Sequence, residues 1–133
     1  MTFFSRHISV SINCPTARVY ASNPKNLPKW AAGPSGSIRK AGRDWIVQSP
    51  MGMVKIKFSP KNRVGILDHD VTLPSGEKVR NPMRVFPNND GSEVVFTLYR
   101  WPGMTDRMFA KDTKAVTKDL KTLKTLLESN QVP

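Results

Sequence analysis

Between residues 8 and 13 the chain alternates strictly. Ile8, Val10 and Ile12 fall on one side and Ser9, Ser11 and Asn13 on the other, the period-two pattern of a half-buried strand. Alternation returns further along in GMVKIKFS, where Val54, Ile56 and Phe58 face one way and Lys55 and Lys57 the other. From Ser37 to Trp101 the segments SIRKA, DWIVQS, GMVKIKFS, RVGILDHDVTL, KVRNPMRVF and SEVVFTLYRW are separated by AGR, SPMG, SPKN, LPSGE and PNNDGS, all rich in turn-forming residues. Connections this short predict an antiparallel meander. Before it, Pro15 suits the first position of a helix, while Pro24, Pro28 and Gly33 divide PTARVYASNPKNLPKWAAG into short pieces. Two short helices, at about 15–22 and 24–31, are expected there, followed by a GPSGS loop.

Near residue 106 the period changes from two to about 3.6. Phe109, Val116, Leu120, Leu123 and Leu127 then fall on one narrow stripe, and Arg107, Lys111, Lys114, Lys118 and Lys121 on the opposite side. A helix over 106–128 would be about 34 Å long. Thr105 fits its N-cap, with Asp106 placed favourably for the helix dipole. A helix this long and one-sided must lie on a broad apolar surface, and the covered face of the sheet supplies it. The predicted class is therefore α+β: a seven-stranded curved antiparallel sheet wrapped around a long C-terminal helix, with two short helices after strand 1. A curved sheet and a straight helix do not fit flush, so a cavity is expected between them.

Composition sets the bounds of this picture. The 133 residues suffice for a single core, read as one domain over 1–133. At 38% hydrophobic and 23% charged the chain has the make-up of a globular protein. MTFFSRH lacks the features of a secretory signal and no apolar run reaches membrane-spanning length, so a cytoplasmic protein is expected. Cys14 is alone and has no disulfide partner within the chain. The strong deviation is charge, with 21 Lys and Arg against 10 Asp and Glu and a net of +11. These cations are spread from Arg6 to Lys124 without forming a block, which argues for a basic surface rather than a dedicated nucleic-acid binder.

The chemical candidates centre on LDHDVTL. Strand parity puts Leu67, His69, Val71 and Leu73 on the inner face and Asp68, Asp70 and Thr72 on the other, which rules out the simplest Asp–His dyad. His69 then has three readings: a core histidine satisfied by a backbone carbonyl or an asparagine, a polar group that orients a ligand, or a general acid–base. On the next strand Asn81 shares the inner face with Val79, Met83 and Val85, within reach of His69. Trp30, Phe58, Phe96, Met108 and Phe109 are expected to line the same core or cavity. Tyr99 and Trp101 alternate to the side opposite Phe96 and Leu98, which puts them on the outer face or at a strand end. The only other histidine, His7, points away from the Ile8 face, so no metal site is expected. Neither a phosphate-cradling glycine loop nor a GxSxG elbow occurs, and no cofactor is expected.

The order of elements, the PTARVYASNPKNLPKWAAG segment, the LDHDVTLPSGEKVRNPMRV hairpin and the ending GSEVVFTLYRWPGMTDRMFAKDTKAVTKDLKTLKTLLE resemble the START-related superfamily of birch pollen allergen-like and polyketide cyclase-like proteins. The resemblance spans nearly the whole chain. It implies a helix-grip fold with a cavity for apolar molecules, and leaves open lipid or hormone binding, polyketide cyclisation and chaperone partnership. The capping box often found at the start of that family's helix is incomplete here, with Met108 in place of the acid. The reading is a binder of a small apolar or amphipathic ligand, lined by Trp30, Phe58, His69, Asn81, Met83, Phe96, Met108 and Phe109. The rivals are a cyclase- or dehydratase-like enzyme using His69, and a basic-surface partner of an anionic molecule; a homodimer is compatible with each.

Overall fold

Eight strands and three helices follow one another in the computed structural model, which describes residues 4–31, 38–49 and 52–129, without the side chains of 21–25 and 49. They run β1 (Ser5–Ile12), α1 (Thr16–Lys25), α2 (Leu27–Trp30), β2 (Ile38–Ala41), β3 (Asp44–Ser49), β4 (Gly52–Phe58), β5 (His69–Thr72), β6 (Lys78–Asn81), β7 (Met83–Asn88), β8 (Gly91–Tyr99) and α3 (Asp106–Ser129). The expected 33–37 loop lies outside the described residues. All strand pairs are antiparallel, in two sheets ordered β1-β8-β7 and β2-β3-β4-β5-β6. The strand count is eight rather than seven because KVRNPMRVF is broken at Pro82. Proline has no amide hydrogen for the ladder, and there the chain leaves the five-stranded sheet to enter the three-stranded one.

Asp68 clasps the two sheets together at this break. Its carboxylate accepts from the Met83 amide at 2.9 Å and from Arg84 at 2.8 and 2.9 Å, with Arg80 of β6 at 3.6 Å. Parity had placed Asp68 on the wet face with Asp70; it does point away from His69, but the two arginines cover it and leave it only 5% exposed. Beside it, Leu67 donates its amide to Met83 O and Val85 to Gly65 O, so the segment before β5 also pairs with β7. Gly65 has φ +76°, and a side chain there would collide with the Val85 carbonyl.

The core lies between α3 and the sheets, and the helix stripe read from the sequence is the buried one. Phe109, Leu120, Leu123 and Leu127 are buried with Val116 packed against them, facing Ile8 and Ile12 of β1 and Val94 and Phe96 of β8. Thr105 Oγ1 accepts from the Met108 amide at 3.1 Å, which is the N-cap, present without the returning acid of a capping box. At the other end Glu128 accepts from the Asn13 amide, and Lys124 donates to Ser11 O, fixing the last turns of α3 to the end of β1. This seating decides where space remains. The helix packs chiefly on β1, touching β8 and α2, so its opposite flank stands over β5 and β6 without filling the gap.

Candidate ligand-binding site

The gap is a partly open cavity of about 190 Å3. Val71 of β5, Val79 and Asn81 of β6, and Phe96 and Leu98 of β8 form its floor and wall. Asp112, Ala115 and Val116 of α3 form the roof, and Trp101 closes one side. The walls are apolar because β5, β6 and β8 turn their inward positions to it. A dry cavity of about 150 Å3 is known to accept benzene, so this one has room for one ring.

His69 adjoins that wall without being part of the lining. It is directly opposite Phe58 on β4 and Asn81 on β6, and its ring packs 4.9 Å from Phe58 and 5.8 Å from Phe96. Nδ1 lies 3.0 Å from the Leu67 carbonyl oxygen, a contact that holds as a hydrogen bond only when Nδ1 carries the proton. Burial pushes its pKa below the ordinary histidine value, so the ring is neutral near pH 7 and Nε2 keeps its lone pair. Asp68 and Asp70 are turned to Arg84 and Arg80 and not to the imidazole. The backbone-satisfied arrangement is thus the one realised at Nδ1.

Asn81 and Phe96 stand on the cavity wall. Met83 is fully buried in β7, Phe58 is half-buried against His69, and Trp30 is buried on α2. Phe109 is buried with its ring edge-on to Phe4 at 6.0 Å. Met108, expected inside, is 51% exposed: it belongs to the first turn of α3, one residue from the stripe, and its side chain faces solvent. Trp101 departs from its alternation in the other direction. The strand ends at Tyr99, so parity no longer governs position 101, and its indole turns to the cavity while Tyr99 stays 43% exposed. Trp45 joins the core. Cys14 is buried, and burial pushes its thiol pKa up, which makes it a poor nucleophile. Among the described residues no three metal-ligating side chains come together, and no helix is long and apolar enough to cross a membrane.

One residue of the cavity lining, Asp112, and a second acid on the same flank of α3, Asp119, were not foreseen. Asp112 and Asp119, seven apart on α3, flank its buried stripe on the side of the five-stranded sheet. Burial raises both carboxyls above the usual range, Asp119 to about 6, against a smaller lowering by the adjacent lysines. The sequence does hold their signal, since each stands four residues before an inward position, Val116 and Leu123. Searching the helix for apolar periodicity alone passes over them.

No family model matches the chain, and no curated protein matches it. Solved structures do. An Aha1 dimer from Colwellia psychrerythraea superposes with a TM-score of 0.75 at 17% identity, over 97% of this chain and 99% of that one. Ara h 8.0201 gives 0.68 at 12% identity over 97% and 100%. CalU16 from Micromonospora echinospora gives 0.69 at 12% over 98% and 78%. The fold is the helix-grip fold. At these identities the likeness concerns architecture alone. In this helix-grip protein α3 is the gripped helix, and the cavity lies between it and the sheets that hold it.

Proposed function

We propose that the protein binds a small apolar or amphipathic molecule, about one ring system in size, in the cavity beneath α3. The observation that carries this reading is the cavity itself, with aromatic and aliphatic walls and, among the described residues, only Asn81 and Asp112 as polar side chains without an aromatic ring. Its size selects among ligands. About 190 Å3 lies below the roughly 300 to 1,000 Å3 of pockets that enclose drug-sized molecules, so a sterol or a fatty acid would not be enclosed. A single aromatic ring burying roughly 150 to 250 Å2 gains about 4 to 6 kcal/mol before the costs of association. Once those costs are taken off, a bare ring is held with a Kd of about 1 mM or weaker, and tighter binding calls for polar contacts.

Proton transfer by His69 finds less support. Its Nδ1 is committed to Leu67, it has no carboxylate partner among the described residues, and it is not among the side chains that line the cavity. His69 serves better as a rigid backing for the wall. The test is a binding titration of indole or toluene with the purified protein. Ala115→Trp, which places a large ring in the roof from an exposed helix position, is expected to weaken binding at least tenfold with the circular-dichroism spectrum unchanged. Unaltered binding by that variant would place the ligand elsewhere.

A further inference from the structure

Among the described residues that line the cavity none is a Lys or Arg, in a protein that has cations in excess. Five of its carboxylates, those of Asp44, Asp68, Asp70, Asp106 and Glu128, form ion pairs with Lys or Arg. Glu93 is held by Ser11 and Asn88, while Glu77 and Asp90 are exposed in turns. Of the ten acids, the two that are half-buried with no ion pair or hydrogen bond among the described residues are Asp112 and Asp119, on the cavity flank of α3. Lys111 and Lys118 are their chain neighbours, but both lysines are exposed on the outer side of the helix.

Asp112 has its place in the cavity roof, among Val71, Val79, Phe96 and Trp101. A carboxylate against such walls loses water and gains nothing in return unless a donor meets it. The neighbouring polarity has the same sign. Nδ1 of His69, the residue paired with Asn81 across β5 and β6, holds the proton for Leu67, which leaves Nε2 an acceptor with no hydrogen bond among the described residues. Trp101 and Phe96 are both in the lining, and an aromatic ring attracts a positive group placed over its face. Asp119, one turn past Val116 on the same flank, adds a second negative charge near the roof.

We propose that the ligand of this cavity carries a protonated amine on an apolar ring, with Asp112 as its counter-ion. This rests on the cavity being the binding site and adds the chemical class of what enters it. An anionic ligand is disfavoured by the same carboxylate. The overall charge of +11 is no obstacle, since the amine meets the local field of the cavity, and the lysines lie on the far side of α3.

The experiment is a calorimetric titration of the full chain at pH 7.5 with benzylamine and, separately, with benzyl alcohol and toluene. Benzylamine is expected to bind at least tenfold more tightly than either neutral ring, the scale of a charge-assisted hydrogen bond. Asp112→Asn should abolish that preference, bringing benzylamine to within about twofold of benzyl alcohol measured on the same variant. Asp112→Glu, which retains the charge, should keep much of the preference, and Asp90→Asn, an equal charge change in the exposed β7–β8 turn, should keep all of it. Equal affinity for amine and alcohol, or a preference that survives Asp112→Asn, would overturn the amine assignment and leave the cavity standing as an apolar site. Failure of all three rings to bind at millimolar concentration would overturn the cavity reading, and this inference with it.

Discussion

Asp119 carries its charge at a cost. Its carboxyl titrates at about 6 in the folded chain against 3.8 for the free group, because burial disfavours the ion. A raised carboxyl pKa means that the folded state holds its proton more tightly than the unfolded one. The resulting stability is present below about pH 4 and is lost as pH rises through 6. Asp119→Asn should therefore stabilise the protein at pH 7.5 by roughly 1 to 2 kcal/mol after allowance for solvent screening, about 3 to 6 °C in Tm, and change little at pH 4. Thermal unfolding at the two pH values checks this; an equal effect at both would mean that the charge is not the cause. His69 acts in the opposite sense. Its pKa is lowered by burial, so its contribution is complete above about 6.5 and declines as pH falls below that. Removing Asp119 should thus leave a stability curve that falls more steeply on the acid side.

At the scale of elements, the break at Pro82 and the clasp at Asp68 belong together. Pro82 ends the β6 ladder, and Asp68 receives the Met83 amide that begins the next strand. Asp68→Asn removes the charge that Arg84 and Arg80 surround. Breaking a buried pair costs about 3 to 5 kcal/mol, and the exposure of both arginines lowers the expected loss to about 2 to 3 kcal/mol, measurable by urea unfolding. Arg84 holds the Asp68 carboxyl well below the usual range, so the clasp is present above about pH 4 and weakens as pH falls below it. A variant as stable as the parent would reduce the clasp to a surface pair. The elements themselves were legible in the sequence, because alternation and the apolar helix stripe follow from burying one face of each. The Pro82 break was legible too, since proline inside a strand argues against continuity, but that signal was outweighed by the alternation of KVRNPMRVF on both sides. The burial of Asp68 was not legible. Parity gives the side on which a residue lies, while the cover comes from arginines 12 and 16 positions away. The orientations of Trp101 and Met108 were lost for a related reason, as each stands where a periodic element has just ended or begun.

For the whole molecule, the charge of +11 remains largely uncompensated. Among the described residues, Arg107, Lys114 and Lys121 along the back of α3 have no carboxylate within ion-pair distance. Self-repulsion of this kind destabilises the compact state and is screened by salt over about 10 Å at 0.1 M. Raising NaCl from about 10 to 150 mM should increase Tm by a few degrees; a flat response would mean that the clasps already balance the field. Binding in the cavity is expected to depend on salt far less than binding of a polyanion to the lysines would.

The way α3 is tied down also governs the order in which the chain can assemble. β2 to β5 form by successive hairpins, each closed by a short turn or, before β5, by a ten-residue loop. The β1–β8 pairing joins Ser5 to Tyr99, and the last turn of α3 reaches back 115 positions to Asn13. Contacts so distant in sequence make closure slow, because the entropy of a long loop must be given up before the pairing rewards it. The five-stranded half can therefore form while the chain is still being synthesised, whereas the three-stranded half waits for residues near the C-terminal end. Until then the apolar floor of the cavity is uncovered, and the helix that later roofs the site is what ends its exposure to other chains.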